Sequence, residues 1–206
     1  SFFAKYKKIV SAQDRARILL EKVKNETAYL QEELMLAMRS DDSESITMIE
    51  DELGLAKHAP RRRTKQRNEV KLPPHKRFEF ERSVVFAGLS AKGNRYVTFK
   101  YAAANDLWFH AQGIPGAHVV LRFKDTPDDA FMSEMVMFCA SLAAHYSKSG
   151  EDENIRVDYT ERRHVSPIKG SIANVTYREF KSIIGQSSFW EKYLSENHAA
   201  LPAKSE

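Results

Sequence analysis

From Lys5 to Met38 the chain holds neither Gly nor Pro, and Ile9, Ala16, Val23, Leu30 and Ala37 recur every seven residues. Gln13, Leu20, Thr27 and Leu34 fill the alternate positions of the same repeat. A sustained seven-residue repeat is satisfied by one arrangement, a helix whose seam faces another helix. Gln13, Ala16, Thr27 and Ala37 bury little area, so this helix is not stable alone. The chain supplies only a short follower. Asp41, Asp42 and Ser43 offer amino-terminal caps, Ile46, Ile49 and Leu53 line one face, and Gly54 ends it. The second strand of the coiled coil is therefore expected upstream of Ser1.

Residues 1–57 thus form a helical unit, and 58–75 a basic linker with Pro60, Pro73 and Pro74 and no periodicity. Beyond it the period falls to two, as in Phe78 and Phe80 alternating with Glu79 and Glu81. Strands are expected at Val84–Phe86, Tyr96–Phe99, Leu107–His110, His118–Phe123, Ile155–Tyr159 and Val175–Phe180. Gly93-Asn94 reads as a hairpin turn. Pro115-Gly116 reads as a type II turn with positive φ at the glycine. One helix, Asp128 to Tyr146, carries the apolar stripe Met132, Met135, Val136, Cys139, Leu142 and Ala143. Strands, one main helix and more strands make an α+β domain with a mostly antiparallel sheet over residues 76–184. Residues 185–206 are a tail with a short helix expected around Phe189 to Leu194.

Charge narrows the function classes. The net charge of +4 is mild, but Arg61, Arg62, Arg63, Lys65, Arg67 and Lys71 crowd the linker, while acids gather at Asp125, Asp128, Asp129 and Glu134. A basic run suits sequence-independent attraction to phosphate as well as simple solvation. The single cysteine, Cys139, excludes a disulfide framework and fits a reducing compartment. No stretch has the length of apolar residues that a membrane span requires.

Residues 105–121 are the densest in chemistry. Asp106, Trp108 and His110 share one face of a strand, and His118 follows a tight turn. A His–Asp pair could act as a general base, giving a hydrolase or nuclease through Asp106, His110 and His118, although no activated nucleophile is near. Zinc requires three or four ligands, and Cys139 lies in the helix stripe, so no metal and no cofactor is expected. A core role for the tryptophan is the plainest alternative. The third reading is recognition, with an exposed Trp108 and imidazole stacking on bases while main-chain donors meet phosphate. Gly88 and Asn94 bound a loop resembling a phosphate cradle that lacks P-loop spacing. Arg162, Arg163 and His164 could extend an RNA-facing rim.

Gly88, Asn94 and Thr98, then Asn105 to His110 and Ile114 to Val119, resemble the NFACT-R domain. That domain closes the bacterial RqcH proteins, also called fibronectin-binding protein A homologues, and their eukaryotic relative NEMF. Ala143 to Ser147 and Val157 to Thr160 resemble it too, and Phe2 to Lys8 is similar to the family's coiled-coil tip. The chain departs from the family pattern at Ala117, Ser90, Ala91 and Arg95, and at Ser171 to Asn174 after Gly170. The resemblance implies a cytoplasmic, non-catalytic ribosome quality-control factor. Its partners would be the large ribosomal subunit, reached at the stalk base through the coiled coil, and tRNA, in support of alanine tailing of stalled chains. It carries over Gly88, Asn94, Asp106, Trp108, His110 and His118 as RNA-binding residues; the basic run Arg61 to Arg67 is expected, from its charge, to add phosphate contacts. The family's older name suggests the rival class, a cell-surface fibronectin-binding adhesin.

Overall fold

The computed structural model describes residues 2–39, 43–55, 72–147, 149 and 154–197. Helix α1 (Phe2–Met38) leads to α2 (Ser43–Leu53), which ends at Gly54 with a positive φ of 69°. The heptad seam of α1 is uncovered: Ile9, Leu20, Val23, Leu30 and Leu34 are all exposed. A different face of the same helix is buried. Glu32, Glu33 and Leu36 follow helical spacing and, with Met35, pack the last turns onto the domain. Two faces of one helix therefore have separate tasks.

Strands β1 (His75–Glu79), β2 (Ser83–Gly88), β3 (Leu107–Ala111), β4 (Val119–Phe123), β5 (Ile155–Glu161) and β8 (Lys181–Gly185) build one antiparallel sheet in the order β1-β2-β4-β3-β5-β8. Between them lie the short strands β6 (Val165–Pro167) and β7 (Val175–Tyr177), which pair as a separate hairpin. The α+β expectation holds. One sheet face carries Val85, Phe109, Val119, Leu121 and Val157 under helix α4 (Asp129–His145). Asp128 caps α4, its carboxylate accepting from the Phe131 N–H at 2.9 Å. Helix α5 (Phe189–Glu196) forms where a short tail helix was expected, and its Trp190 and Tyr193 join this core.

The opposite sheet face has a second, smaller core of Val84, Phe86, Trp108, Val120 and Val165. Its cover departs from expectation. Tyr96–Phe99 is not a strand, and Gly93-Asn94 is not a hairpin. Helix α3 (Ala91–Tyr96) runs into a π-turn at Val97–Tyr101, closed by the Ala102 N–H donating to the Val97 carbonyl at 3.0 Å. Ser90 starts the helix by accepting from the Gly93 N–H, and the wide turn points Val97 and Thr98 inward together. The positive φ near Pro115 belongs to Gly113, at 70°, not to Gly116, which instead bridges Ser147. The expected strand Val175–Phe180 breaks at Glu179, where φ is 52°, so β7 and β8 enter different sheets.

Candidate nucleic-acid interface

Strand alternation puts Trp108 and His110 side by side on the second face of β3, their rings stacked at 5.7 Å and 13°. Their environments differ. Trp108 is fully buried, against Tyr177 at 5.0 Å and His118 at 5.1 Å, whereas His110 is only partly covered. The expected exposed aromatic is therefore a core residue, because α3, the π-turn and the β6–β7 hairpin close over it. His118 is buried too. Its Nδ1 lies 2.8 Å from the Thr98 hydroxyl and its ring meets His110 edge-on at 5.2 Å. Burial lowers the His110 pKa to about 4, and burial with the His110 neighbour takes His118 well below its usual value. Both rings are neutral at pH 7, which suits hydrogen bonding and not general acid–base work.

Asn94 is the joint of the site. Its Oδ1 accepts from the His118 N–H at 2.8 Å, and its Nδ2 donates to the Gly116 carbonyl at 3.1 Å and to Glu32 Oε1 at 2.6 Å. Gly88 closes the same junction: its N–H donates to the His118 carbonyl at 3.0 Å. A Cβ on Gly88 would overlap Asn94, side chain and backbone alike. Beside Glu32, Glu33 Oε1 accepts from the Ala91 N–H at 2.6 Å, meeting one of the orphan donors that start α3. Asn94 and Gly88 are thus buried connectors, not the phosphate contacts that the loop suggested.

Burial raises the Glu32 carboxyl to about 7, against the lowering effect of the Asn94 amide. A carboxyl held neutral in the fold favours folding most below its unfolded value of 4.5, and loses that contribution as pH rises through 7. His110 runs the other way, since the unfolded chain binds a proton near 6.5 that the fold refuses down to about 4. Glu32→Gln keeps the acceptor for Asn94 and removes the charge. It is expected to be about 1–3 kcal/mol more stable than the parent at pH 8, with most of that gain gone by pH 5. Urea denaturation at the two pH values checks this, and a gain that ignores pH would refute it.

Asp106 is tied down elsewhere. Its Oδ2 accepts from Arg122 Nε at 2.9 Å and from the Ala103 N–H at 2.7 Å, and Arg122 also reaches the Tyr101 carbonyl at 2.7 Å. Asp158, legible in the sequence only as part of the Val157 to Thr160 resemblance, stands opposite His110 across β3 and β5. Its buried carboxylate accepts from Gln112 Nε2, from the Tyr177 hydroxyl at 2.8 Å and from the Ser182 hydroxyl at 2.6 Å. The legible signal was an acid at an inward position between Val157 and Tyr159. Nothing local in the sequence marks Glu32, Glu33 or Arg122 as members of this site, and Thr98 is legible only through the family resemblance. The structure brings Trp108, His110, His118, Asn94 and Gly88 together, with Asp106 serving the adjoining Arg122 pair. Arg61, Arg62, Arg63, Lys65 and Arg67 lie outside the described residues. Among the described residues no group of three His, Cys, Asp or Glu is placed to hold a metal ion, and no helix is long and apolar enough to cross a membrane.

An antiparallel sheet covered on one face by α4 and on part of the other by α3, the π-turn and the β6–β7 hairpin, with this buried joint fastening it to a long helix, defines an α+β module of the NFACT-R type. Residues 75–174 match the family described as NFACT protein RNA binding domain. The chain is an RqcH-like NFACT protein. It is 30% identical over 179 residues to "Rqc2 homolog RqcH" of Bacillus subtilis, covering 83% of this chain and 30% of that one. The protein of the same name from Streptococcus suis is 30% identical over 184 residues, 88% of this chain and 32% of that one. The chain therefore spans about a third of the length of these curated relatives. Among solved structures, the C-terminal part of the fibronectin/fibrinogen-binding protein from Streptococcus suis superposes with a TM-score of 0.73 at 28% identity, over 93% of this chain and 76% of that one.

Proposed function

We propose that this chain is the carboxy-terminal part of a ribosome quality-control factor, a non-catalytic cytoplasmic module that binds the large ribosomal subunit and tRNA in support of alanine tailing of stalled nascent chains. The observation that carries the reading is that likeness to RqcH proteins extends over 83% of the chain, beyond the 75–174 RNA-binding segment. The uncovered seam of α1 offers an apolar surface to a second helix; in this reading upstream sequence supplies that helix, and the resulting coiled coil reaches the stalk base. In the domain, Trp108, His118, Asn94, Gly88 and Asp106 act by holding the shape of the surface, and His110 is the member of the set with a face to offer. The linker basics Arg61, Arg62, Arg63, Lys65 and Arg67 add phosphate attraction.

The test is binding of the chain to large ribosomal subunits and free tRNA across a salt series. With about five phosphate contacts, affinity is expected to fall roughly 100-fold between 50 and 200 mM salt, and replacing the five linker cations by Gln should flatten that dependence. A folded chain that binds neither RNA at low salt overturns the reading. Matrix adhesion, favoured by the name of the Streptococcus suis protein, would take its place if the chain then bound fibronectin.

A further inference from the structure

The second sheet face is only half covered. Helix α3, the π-turn and the β6–β7 hairpin close over Trp108, but the outer strands β5 and β8 continue past that cover. On this open part β8 presents Ser182 and Ile184, and Phe180 stands just before the strand. Phe180 is 47% exposed and Ile184 45%. Strand β5 sets Arg156 opposite Ile184 and Asp158 opposite Ser182. Ser182 and Asp158 bond to each other, which leaves the aromatic, the aliphatic and the arginine as the free surface.

Phe180 is held outward by a defined device. Glu179 adopts a positive φ, and the Thr160 hydroxyl points at the carbonyls of both Arg178 and Glu179, 3.1 Å from each. The ring then stands edge-on to Tyr177 at 5.3 Å, and Tyr177 in turn packs on Trp108. An exposed aromatic is thus continuous with the buried aromatic stack. Beside it, Arg163, His164, Tyr177 and Arg178 line a groove of about 440 Å³. Charge on this side favours an anion. Arg156, Arg162, Arg163 and Arg178 outnumber Glu161 and Glu179; Glu161 pairs with Arg163 at 2.6 Å, and Glu179 stands 3.8 Å from Arg178 in an exposed pair that a phosphate can displace.

Resting on the RNA-binding reading above, we infer that Phe180 is a stacking platform for an unpaired base of RNA, with Arg156 and Arg178 holding the flanking phosphates. An open sheet face with an aromatic and bordering cations is how sheets engage splayed single-stranded nucleotides. The surface thus selects single-stranded or looped RNA over a continuous duplex, whose bases are already stacked.

The experiment compares the full chain with Phe180→Ala and Phe180→Trp. The probes are a short single-stranded RNA carrying 2-aminopurine and an abasic ribose-phosphate strand of equal length. The expected result is that the parent quenches 2-aminopurine and prefers the base-bearing strand. Phe180→Ala should lose roughly tenfold or more in affinity for it, leaving the salt slope unchanged. Phe180→Trp should restore binding. Replacing Arg156 and Arg178 by Gln should lower the slope on both strands by about 1 to 2. Phe180→Ala binding as well as a parent that does bind RNA overturns this inference alone. Loss of concentration-dependent self-association in Phe180→Ala, with RNA affinity intact, gives the face to a second copy and overturns it as well. A folded parent that binds neither strand at low salt removes the RNA-binding reading itself.

Discussion

Trp108→Ala is expected to destabilise the domain by about 3–5 kcal/mol, the usual cost of deleting a large aromatic from a closed core. The side chain has no exposed surface and fills the space between Val84, Phe86, Val97, Val120 and Val165. Its removal also strips His110 of its stacking partner and His118 and Tyr177 of a wall. Trp108→Phe should cost much less. It keeps part of the ring and removes the indole N–H, which is buried without a hydrogen-bond partner among the described residues. Urea denaturation checks both variants: the Ala variant should unfold at markedly lower denaturant with its slope little changed. A recognition residue would give the opposite pattern, with stability unchanged and RNA affinity lost. That outcome would return Trp108 to the surface role that its sequence context suggested.

How far the sequence carried this site depends on what each signal measures. Period-two alternation in Leu107–His110 and the caps and stripe around Asp128–Tyr146 report local geometry and one buried face. Both elements appear within a residue of where they were read. Tyr96–Phe99 failed because four apolar or β-branched residues fit a strand and a tight helical turn equally. What decided between them was the Ser90 cap, the docking of Val97 onto the second core and the Thr98 hydrogen bond to His118. Trp108 was misplaced for a related reason. Alternation tells which side of a sheet a residue takes, not whether that side is covered. The cover comes from α3 and from a β6–β7 hairpin more than fifty residues downstream, whose break at Glu179 no local rule announced.

Glu32 and Glu33 were hidden differently. Two adjacent acids on a charged helix look like a solvated face, and their partners are Asn94 and Ala91, distant in the chain. They show that the long helix is fastened to the domain by specific polar bonds and not only by Met35 and Leu36. Asn94 is the residue of the domain that ties Glu32 of the long helix to the His118 and Gly116 backbone.

That residue supplies the second large effect. Asn94→Ala is expected to cost about 3–5 kcal/mol, because it deprives the buried His118 N–H and Gly116 carbonyl of partners and leaves Glu32 without its donor. The loss should appear first where α1 meets α3, as faster amide hydrogen exchange in residues 29–36 and 88–98 than in β3 or α4. Asn94→Asp separates hydrogen bonding from charge. It keeps an acceptor for His118 but sets a second carboxyl against Glu32, so the two cannot both ionise cheaply. Asn94→Asp should accordingly be about as unstable as Asn94→Ala at pH 8 and recover part of the loss at pH 5, where the pair shares a proton. Combining it with Glu32→Gln should recover stability at pH 8 as well, since one charge is gone and a donor returns. Equal and independent costs for the two substitutions would mean that Asn94 and Glu32 do not act on each other, and the helix would then be held by the Glu33–Ala91 bond and its apolar contacts.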